Sequence, residues 1–335
     1  MTLRRRTLLT LAAAAAACKR DPAPEGGGGA PGPGKRPRVA VVPKGTTHEF
    51  WKSVHAGAVK ASRELGVDVL WKGPLKEDDL KAQIDVVETF VAQGVAGIVL
   101  APLNDAALRG PVKASVAAKI PVVVFDSDLQ GDEHTSFVAT DNLKAGRLAG
   151  EHLAGLLGGK GKVAVLRYQE ASASTANRER GFLEAAREKG LEVVSENQYG
   201  GATTESAFAT SENLLAAQRA AAGGLAGVFA PNESTTFGML LALRKAGLAG
   251  KLKFVGFDAS EKLVQALEGS HLDALVLQDP VNIGYLAVKT MARHLKGEPV
   301  EKHIDTGATL VTRASMGEPR ARELLKPDLK PYLGE

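Results

Sequence analysis

The stretch RVAVVPKGTTHEFWKSVHAGA, residues 38–58, joins a short apolar run, a polar loop and an amphipathic segment. Residues 39–42 are all apolar, which is typical of a strand buried on both faces of a parallel sheet. From Phe50 onward the apolar residues recur every three to four positions, which predicts a helix. Ligands of open α/β sheets bind beyond the carboxyl ends of the strands, where loops meet helix N-termini. The loop at residues 44–48 is therefore a candidate binding segment.

This segment carries two adjacent aromatic residues, Phe50 and Trp51, beside several hydrogen-bonding groups and no obvious catalytic base. The combination suits a polar molecule with apolar faces, such as a sugar ring, whose C–H patches stack on aromatic rings. Both aromatic residues could instead be core residues that anchor the first helix. The segment by itself leaves the two interpretations open.

Length and composition indicate about two domains with large apolar cores. The chain has 335 residues, 44% of them hydrophobic, and no apolar run approaches the roughly 20 residues of a membrane-spanning helix. The whole chain has 42 Lys and Arg against 38 Asp and Glu, and residues 1–17 contain three of the arginines and no acidic residue. Without them, 39 basic residues face 38 acidic ones. This near-neutral balance gives no reason to expect a nucleic acid or an anionic membrane surface as partner.

The N-terminus has the organisation of an export signal. Three arginines at 4–6 precede an apolar run at 8–17, and Cys18, the only cysteine, follows directly. This pattern resembles a bacterial lipoprotein signal, in which the cysteine carries the lipid, and Arg5-Arg6 also resembles a twin-arginine signal. We expect residues 1–17 to be a signal peptide and Cys18 to be the lipidation site of a periplasmic or cell-surface protein. The alternative is a soluble protein that starts with a short helix.

Residues 18–36 are dominated by Gly and Pro and show no apolar periodicity. Such a composition predicts a flexible linker, up to about 60 Å long when fully stretched. A tether of this kind between a lipid anchor and a folded body fits an extracytoplasmic protein.

Beyond the linker, short apolar runs alternate with amphipathic segments. Candidate strands are 39–42, 67–71, 97–101, 121–126, 137–140, 162–166, 192–195, 227–230, 253–257, 274–278 and 308–312. Candidate helices are 49–65, 79–93, 104–118, 142–157, 174–189, 203–220, 234–246, 260–268 and 280–296. Strict alternation predicts parallel sheets with helical crossovers. Two sheets of about six strands are more natural than one of eleven, and a break near 140–141 divides the alternation.

Short polar side chains follow several of the predicted strands. Asp126, Asn232, Asp258 and Gln278 each lie at or within two residues of a strand end. Each one alone could be a helix N-cap, which is the commoner role of such residues. Capping does not explain all four together, so we expect them to line a common site at the carboxyl edges of the sheets.

Eight segments resemble the periplasmic sugar-binding proteins of the ribose-binding type, in that family's order and spacing. They are TTHEFWKSVHAGA, GIVLAP, IPVVVFDSD, FVATDNLKAGRLAGEHL, STANRERGF, VFAPNESTTFG, FVGFDAS and LQDPVNIGY. The resemblance implies an α/β fold of two doubly wound parallel-sheet domains, joined by a three-crossover hinge, with the ligand in the cleft between them. It divides the chain into an N-terminal lobe, 37–140 plus 280–307, and a C-terminal lobe, 141–279 plus 308–330.

The same resemblance implies nine ligand-binding residues: His48, Phe50, Trp51, Asp126, Ser127, Arg178, Asn232, Asp258 and Gln278. The aromatic rings would stack on a sugar face, the carboxylates would accept from hydroxyls, and Arg would donate to oxygens, while Asn and Gln do both. Arg178 could instead pair on a helix surface, and Gln278 could serve the hinge backbone.

Three departures from the ribose-binding pattern imply a different or larger ligand. His48 and Ser127 stand where that pattern has Asn and Arg, and the segment 199–203 has no clear counterpart of the aromatic residue that closes the second face of the ring.

We therefore expect a monomeric binding protein that captures a sugar or sugar-like polyol by cleft closure and delivers it to the permease of an ABC importer. No catalytic residue, cofactor or metal is expected. Alternatively, the closed form is read by a membrane sensor, a purpose that no residue distinguishes from transport.

Two other classes fit less well. A sugar-responsive repressor would need a DNA-binding domain, and residues 1–37 contain no helix-turn-helix pattern. An enzyme would need a recognisable site, and neither HExxH, GxSxG nor a phosphate loop is present. Asp126, Asp141 and Asp258 could in principle supply a carboxylate pair for glycoside hydrolysis, a possibility that an assay on oligosaccharides would decide.

Overall fold

The computed structural model describes residues 36–334, so the predicted signal peptide, Cys18 and almost all of the predicted linker lie outside the described residues. The strands are β1 (Arg38–Val42), β2 (Asp68–Trp71), β3 (Gly97–Leu100), β4 (Val122–Phe125), β5 (Ser136–Ala139), β6 (Lys162–Arg167), β7 (Glu192–Tyr199), β8 (Gly227–Phe229), β9 (Lys253–Phe257), β10 (Ala274–Leu277), β11 (His303–Asp305) and β12 (Thr309–Thr312).

The helices are α1 (Glu49–Leu65), α2 (Leu80–Ala92), α3 (Arg109–Ala117), α4 (Asn142–Leu156), α5 (Ala173–Glu188), α6 (Thr204–Ala217), α7 (Glu233–Lys245), α8 (Glu261–Glu268), α9 (Pro280–Leu295), α10 (Pro319–Leu325) and α11 (Lys330–Leu333). A single turn of 3₁₀ helix lies at Ala220–Ala222.

The strands form two six-stranded sheets, ordered β11-β5-β4-β3-β1-β2 and β12-β10-β9-β8-β6-β7. We call the first sheet with its helices the first lobe, and the second sheet with its helices the second lobe. The chain passes between them three times: from β5 to α4, from β10 to α9, and from β11 to β12. The predicted fold class, two doubly wound α/β domains joined by three crossovers, is confirmed.

Continuous apolar runs in the strands match sheets that are covered by helices on both faces. Within β1, Val39 and Val41 pack in the core beneath α1 and α9, whereas Ala40 and Val42 pack in the core beneath α2 and α3. All four are at most 1% exposed. Successive strand residues point to opposite faces, so a continuous apolar run is needed where both faces are buried.

One strand departs from the expected parallel arrangement, because β12 runs antiparallel to β10. The parallel strands of each lobe end at the cleft, and β11 delivers the chain there. Only residues 306–308 separate β11 from β12, too few for a helix that would return the chain to the far edge. The strand that follows the third crossing therefore begins at the cleft and runs away from it.

Three short elements were not predicted from the sequence: β11, α10 and α11. The three residues of β11 are partly or largely exposed at a sheet edge, so they lack the apolar run that marks the other strands. The helices α10 and α11 have seven and four residues, too short for a helical apolar period to stand out.

Glycines allow close helix crossings in both lobes. In the first lobe, a Cβ at Gly57 of α1 would lie 1.9 Å from the carbonyl oxygen of Val281 on α9. In the second lobe, a Cβ at Gly146 of α4 would lie 2.0 Å from the carbonyl oxygen of Arg178 on α5. Backbones approach this closely only where no side chain intervenes. Gly146 therefore controls where α5 places Arg178.

Within residues 36–334, no helix combines the length and the apolar character that crossing a membrane requires.

We predict that Gly146→Ala lowers the free energy of unfolding by about 1–3 kcal/mol, because the new methyl group forces α4 and α5 apart. Chemical denaturation measures this. The matched control is Gly155→Ala on the exposed face of the same helix, where a Cβ would meet nothing within 4 Å. It should raise stability by up to about 1 kcal/mol through helix propensity. Equal effects of the two substitutions would contradict the close-crossing explanation.

Candidate ligand-binding site

A chamber lies between the lobes, at the carboxyl ends of the parallel strands. Both lobes contribute to its lining, which consists of Lys44, His48, Phe50, Trp51, Glu77, Asp126, Tyr168, Ser174, Thr175, Arg178, Asn232, Glu233, Asp258 and Gln278. Eight of the nine predicted ligand residues are in this set, and Ser127 is not.

The two aromatic residues of α1 are both core residues and chamber residues. Phe50 and Trp51 are 8% and 2% exposed and belong to the apolar core of the first lobe. Their ring centroids lie 4.9 Å apart at nearly right angles, and the Trp51 ring lies edge-on to Phe125 at 6.1 Å. Because core packing holds these rings, their chamber-facing surfaces are presented rigidly. The two interpretations of this segment are therefore compatible.

Two aspartates at strand ends, Asp126 after β4 and Asp258 after β9, have positive φ angles of 61° and 66°. This left-handed backbone is strained for most residues but tolerated by Asp and Asn. Each aspartate faces a buried cation: Lys44 Nζ lies 3.3 Å from Asp126 Oδ2, and Arg178 Nη1 lies 3.9 Å from Asp258 Oδ2. The equivalent turns in the two lobes thus aim one carboxylate each at the chamber.

Arg178 is buried on α5 and is not a surface residue, with only 2% of its area exposed. Its Nε donates to Asn142 Oδ1 at 2.7 Å, and its Nη1 donates to the carbonyl of Pro231 at 3.0 Å. Gln278 Nε2 donates to Asp258 Oδ1 at 2.8 Å. Among the described residues, Arg178 Nη2 and Gln278 Oε1 have no hydrogen-bond partner. The chamber therefore presents one unpaired donor and one unpaired acceptor. Buried polar groups rarely remain unpaired, so these two atoms are expected to bind a ligand or water.

Two predicted ligand residues have structural partners of their own. Asn232 is the N-cap of α7, where its side chain accepts from the backbone N–H and the hydroxyl of Thr235. Ser127 Oγ accepts from the backbone N–H of Ser174 in the other lobe, at 3.1 Å. Capping thus explains Asn232 locally, although its amide still borders the chamber. Ser127 lies outside the chamber lining, and its contact joins the lobes.

Six chamber residues were not predicted as ligand residues: Lys44, Glu77, Tyr168, Ser174, Thr175 and Glu233. Lys44 lies in the candidate loop, and Glu233 lies beside Asn232 at a predicted helix start, so position alone could have suggested both. Tyr168 follows β6 and brings an aromatic ring from the second lobe to the chamber. Segment 199–203 had no clear counterpart of such an aromatic residue. Glu77 lies in the loop between β2 and α2, where no sequence pattern marks it.

Glu77 is held by three donors at the centre of the chamber wall. It pairs with His48 Nδ1 at 2.7 Å and accepts from Trp51 Nε1 at 2.5 Å and the Tyr168 hydroxyl at 2.6 Å. Burial alone would raise the pKa of Glu77, but the charge and hydrogen bond of His48 outweigh it and lower this pKa to about 2. Burial would likewise lower the pKa of His48, but Glu77 raises it to about 9. The pair is therefore ionised at neutral pH.

Hydrogen bonds across the cleft show that the described conformation is closed. Tyr168 of the second lobe donates to Glu77 of the first, and Lys44 Nζ donates to Ser174 Oγ at 3.0 Å. The backbone N–H of Phe50 donates to Glu233 Oε2 at 3.2 Å. These contacts join loops and helix N-termini of the two lobes around the chamber.

No group of three or more His, Cys, Asp or Glu that could hold a metal ion occurs in the part of the chain that the structure describes.

Two doubly wound lobes closed over a polar chamber with aromatic walls define a two-lobed ligand-binding protein. The family model described as a periplasmic binding protein domain matches residues 39–299. The chain belongs to this family, as the resemblance of its motifs predicted.

Named relatives and solved structures agree with this assignment. The D-ribose/D-allose-binding protein of Pseudomonas aeruginosa is 29% identical over 290 residues, covering 83% of this chain and 89% of that protein. The ribose import binding protein of Bacillus subtilis is 29% identical over 264 residues, covering 79% and 83%.

Among solved structures, a carbohydrate transporter solute-binding protein from Agrobacterium radiobacter, in complex with D-arabinose, is 33% identical. Its TM-score is 0.83, and the match covers 87% of this chain and 99% of that one. A transporter solute-binding protein from Agrobacterium vitis with bound D-fucose is 34% identical, with a TM-score of 0.82 and coverage of 86% and 100%.

We predict a pH-dependent contribution of the His48–Glu77 pair to the free energy of unfolding. The raised pKa of His48 stabilises the fold below about pH 6.5, and this is lost as pH rises through 9. The lowered pKa of Glu77 stabilises the fold above about pH 4.5, and this is lost towards pH 2.

His48→Gln should therefore lower the free energy of unfolding by on the order of 2 kcal/mol near pH 6. The difference in this free energy between the variant and the wild type should shrink by pH 10. Chemical denaturation between pH 4 and pH 10 measures the difference, in which other titrating groups largely cancel. A deficit of equal size at pH 6 and pH 10 would refute the contribution of the pair.

Proposed function

We propose that this chain is an extracytoplasmic substrate-binding protein that captures a sugar or sugar-like polyol by cleft closure and delivers it to an ABC importer. The observation that carries the proposal is the pair of unpaired polar atoms, Arg178 Nη2 and Gln278 Oε1, in a chamber walled by aromatic rings. A polyhydroxylated ring offers hydroxyls that both accept and donate, together with C–H faces that pack on aromatic side chains. The sugars named for the relatives support the same ligand class.

Ligand recognition follows from the chemistry of the lining. Asp126 and Asp258 accept from hydroxyls, Arg178 donates to oxygens, and Gln278 accepts through Oε1. Phe50 and Trp51 offer apolar surface to the ring, and His48 and Asn232 border the same space. Hydrogen bonds to charged groups contribute about 1.5–3 kcal/mol each, so a handful reaches micromolar affinity or better.

Closure couples binding to delivery. Ligand contacts from both lobes form together only when the cleft is shut, so the ligand stabilises the closed state by its differential affinity for it. The proposed lobe boundaries, 37–140 plus 280–307 and 141–279 plus 308–330, follow the membership of the strands in the two sheets. A membrane permease would recognise the closed arrangement of the two lobes, and no bond in the ligand is made or broken.

We further propose that the mature protein is a monomeric lipoprotein. Its support is the order of the N-terminal features: a basic segment, an apolar segment, Cys18 and a Gly/Pro-rich linker. The lipid on Cys18 would hold the protein at the membrane, and the linker would let the folded body reach its permease.

We predict that Asp258→Asn weakens binding of the cognate sugar by at least tenfold. The substitution removes the charge facing Arg178, while Asn still tolerates the positive φ at this position. A thermal-shift screen of residues 35–335 against pentoses, hexoses, polyols and nucleosides identifies the ligand first. At a hundred times its dissociation constant, a ligand stabilises by about 2.7 kcal/mol.

The control is Asp68→Asn, because Asp68 is exposed at the start of β2 and lies outside the chamber lining. It should bind the same sugar with the affinity of the wild type. Undiminished affinity in Asp258→Asn would remove Asp258 from the site. A screen in which nucleosides bind and no sugar or polyol does would overturn the proposed ligand class.

We predict that Cys18→Ala releases the protein from membranes, because it removes the acceptor of the lipid. Fractionation of expressing cells followed by immunoblotting measures the distribution. Ser53→Ala, a change in the folded body, serves as the control and should stay in the membrane fraction. Retention of Cys18→Ala in that fraction would refute the lipoprotein proposal.

A further inference from the structure

The chamber contains an odd number of charges. Its lining includes four carboxylates, from Glu77, Asp126, Glu233 and Asp258, and three basic groups, from Lys44, His48 and Arg178. Three of the carboxylates have a basic partner within 4.0 Å: Glu77 with His48, Asp126 with Lys44, and Asp258 with Arg178. The fourth carboxylate, that of Glu233, has no such partner within the described residues.

Glu233 is the first residue of α7 and reaches across the cleft to the first lobe. Its Oε2 accepts from the backbone N–H of Phe50 at 3.2 Å, at the N-terminal end of α1. Within residues 36–334, its carboxylate accepts no other hydrogen bond. Glu233 is partly buried, and one backbone donor with the helix dipole compensates its carboxylate only in part, so shielding this charge from water is unfavourable.

The charged groups that face Glu233 are His48, Asp258 and Glu49. Burial raises the pKa of Glu233 to about 7, the two acidic neighbours add to this, and His48 and the Phe50 N–H offset it in part. The shift means that closing the chamber around an ionised Glu233 is unfavourable unless something else neutralises the charge. Around neutral pH the group therefore favours binding a proton or a cation.

We propose that the ligand carries a positively charged nitrogen, as in an amino sugar or an aminated polyol, and that its ammonium group pairs with Glu233. The inference rests on the proposed function and names the ligand class of the same chamber. One ammonium group brings the charges of the closed chamber to four positive against four negative.

The other chamber groups fit a polyol that bears this single charge. Arg178 Nη2 and Gln278 Oε1 are left for hydroxyls or a ring oxygen, and the aromatic rings are left for the C–H faces. An anionic ligand such as a sugar phosphate or a uronate fits poorly, because all three basic groups already pair with carboxylates. Its charge would lie beside Glu233 with no basic group to receive it.

The test compares matched ligand pairs by isothermal titration calorimetry at pH 5.5 and pH 7.5. The probes are D-glucosamine, D-galactosamine, D-mannosamine, 3-amino-3-deoxy-D-glucose, 4-amino-4-deoxy-D-glucose, 2-amino-2-deoxy-D-ribose and an aminodeoxyinositol, each against its neutral parent and its N-acetyl derivative. We expect at least one amine to bind tenfold or more tightly than its neutral parent at pH 7.5. The preference should shrink at pH 5.5, where Glu233 is protonated, and the N-acetyl form should lack it.

Two variants assign the preference to Glu233. Glu233→Gln keeps the shape and removes the charge, so the ratio of amine to neutral affinity should fall by at least tenfold. Glu151→Gln makes the same change of charge on the exposed face of α4, outside the chamber, and should keep the wild-type ratio. Reading the ratio within each variant cancels any general loss of affinity that a disturbed cleft contact would cause.

The outcomes separate this inference from the proposed function. Binding of neutral sugars with no amine preferred over its parent would overturn the ammonium proposal and leave the sugar-binding function standing. Failure of every sugar and amine to bind would overturn both. A preference that survives in Glu233→Gln would show that another carboxylate, such as Asp258, holds the ammonium group, and would overturn the assignment to Glu233.

Discussion

The closed arrangement of the lobes depends on the compensation of buried charge around Glu77. This carboxylate is buried between the lobes, and its three donors come from the first loop, the first helix and the second lobe. Removing one partner of a buried ion pair is destabilising, because the other charge is left uncompensated. The loop that holds His48, the ring of Trp51 and the position of Tyr168 are thus tied to a single group. The contacts of Glu77 therefore link the closure of the lobes to the shape of the chamber.

The same principle extends over the whole chamber. Lys44 with Asp126 and Arg178 with Asp258 repeat, in each lobe, the arrangement of a strand-end aspartate facing a buried cation. The left-handed backbone at both aspartates directs their side chains to the cleft, at a conformational cost that Asp tolerates. Charges paired before the ligand arrives are already oriented, so binding loses little further freedom. Such a site distinguishes ligands by the hydrogen bonds and charges that remain unmatched.

Rigid helix contacts underlie this preorganisation. Gly146 lets α4 contact the backbone of Arg178 directly, and Gly57 does the same for α1 against α9. Both crossings position residues of the site: Arg178 on α5, and Phe50 and Trp51 at the start of α1. The packing of each lobe thus fixes its half of the chamber, and the three chain crossings leave the relative position of the halves to cleft closure.

Local patterns in the sequence determined the fold class, because apolar runs and helical periods report directly which faces are buried. They placed eleven of the twelve strands of the described region and missed β11, whose few residues are exposed. Strand-end position also predicted that Asp126, Asp258 and Gln278 share one site, since the parallel strands of both sheets end at the cleft. The resemblance of the motifs added Arg178, His48 and the family, and the family is confirmed by the match over residues 39–299.

Only the tertiary structure decided which polar groups meet across the cleft. Glu77, Tyr168 and Glu233 lie on loops or helix starts with no periodic pattern, and each acquires its role from a partner on the other lobe. Asn232 and Ser127 were predicted as ligand residues, and the structure adds a helix cap at Asn232 and an interlobe hydrogen bond at Ser127. Sequence patterns record what is near along the chain and which face is apolar. Charge balance in a closed chamber depends on groups far apart in sequence, so folding alone brings it about.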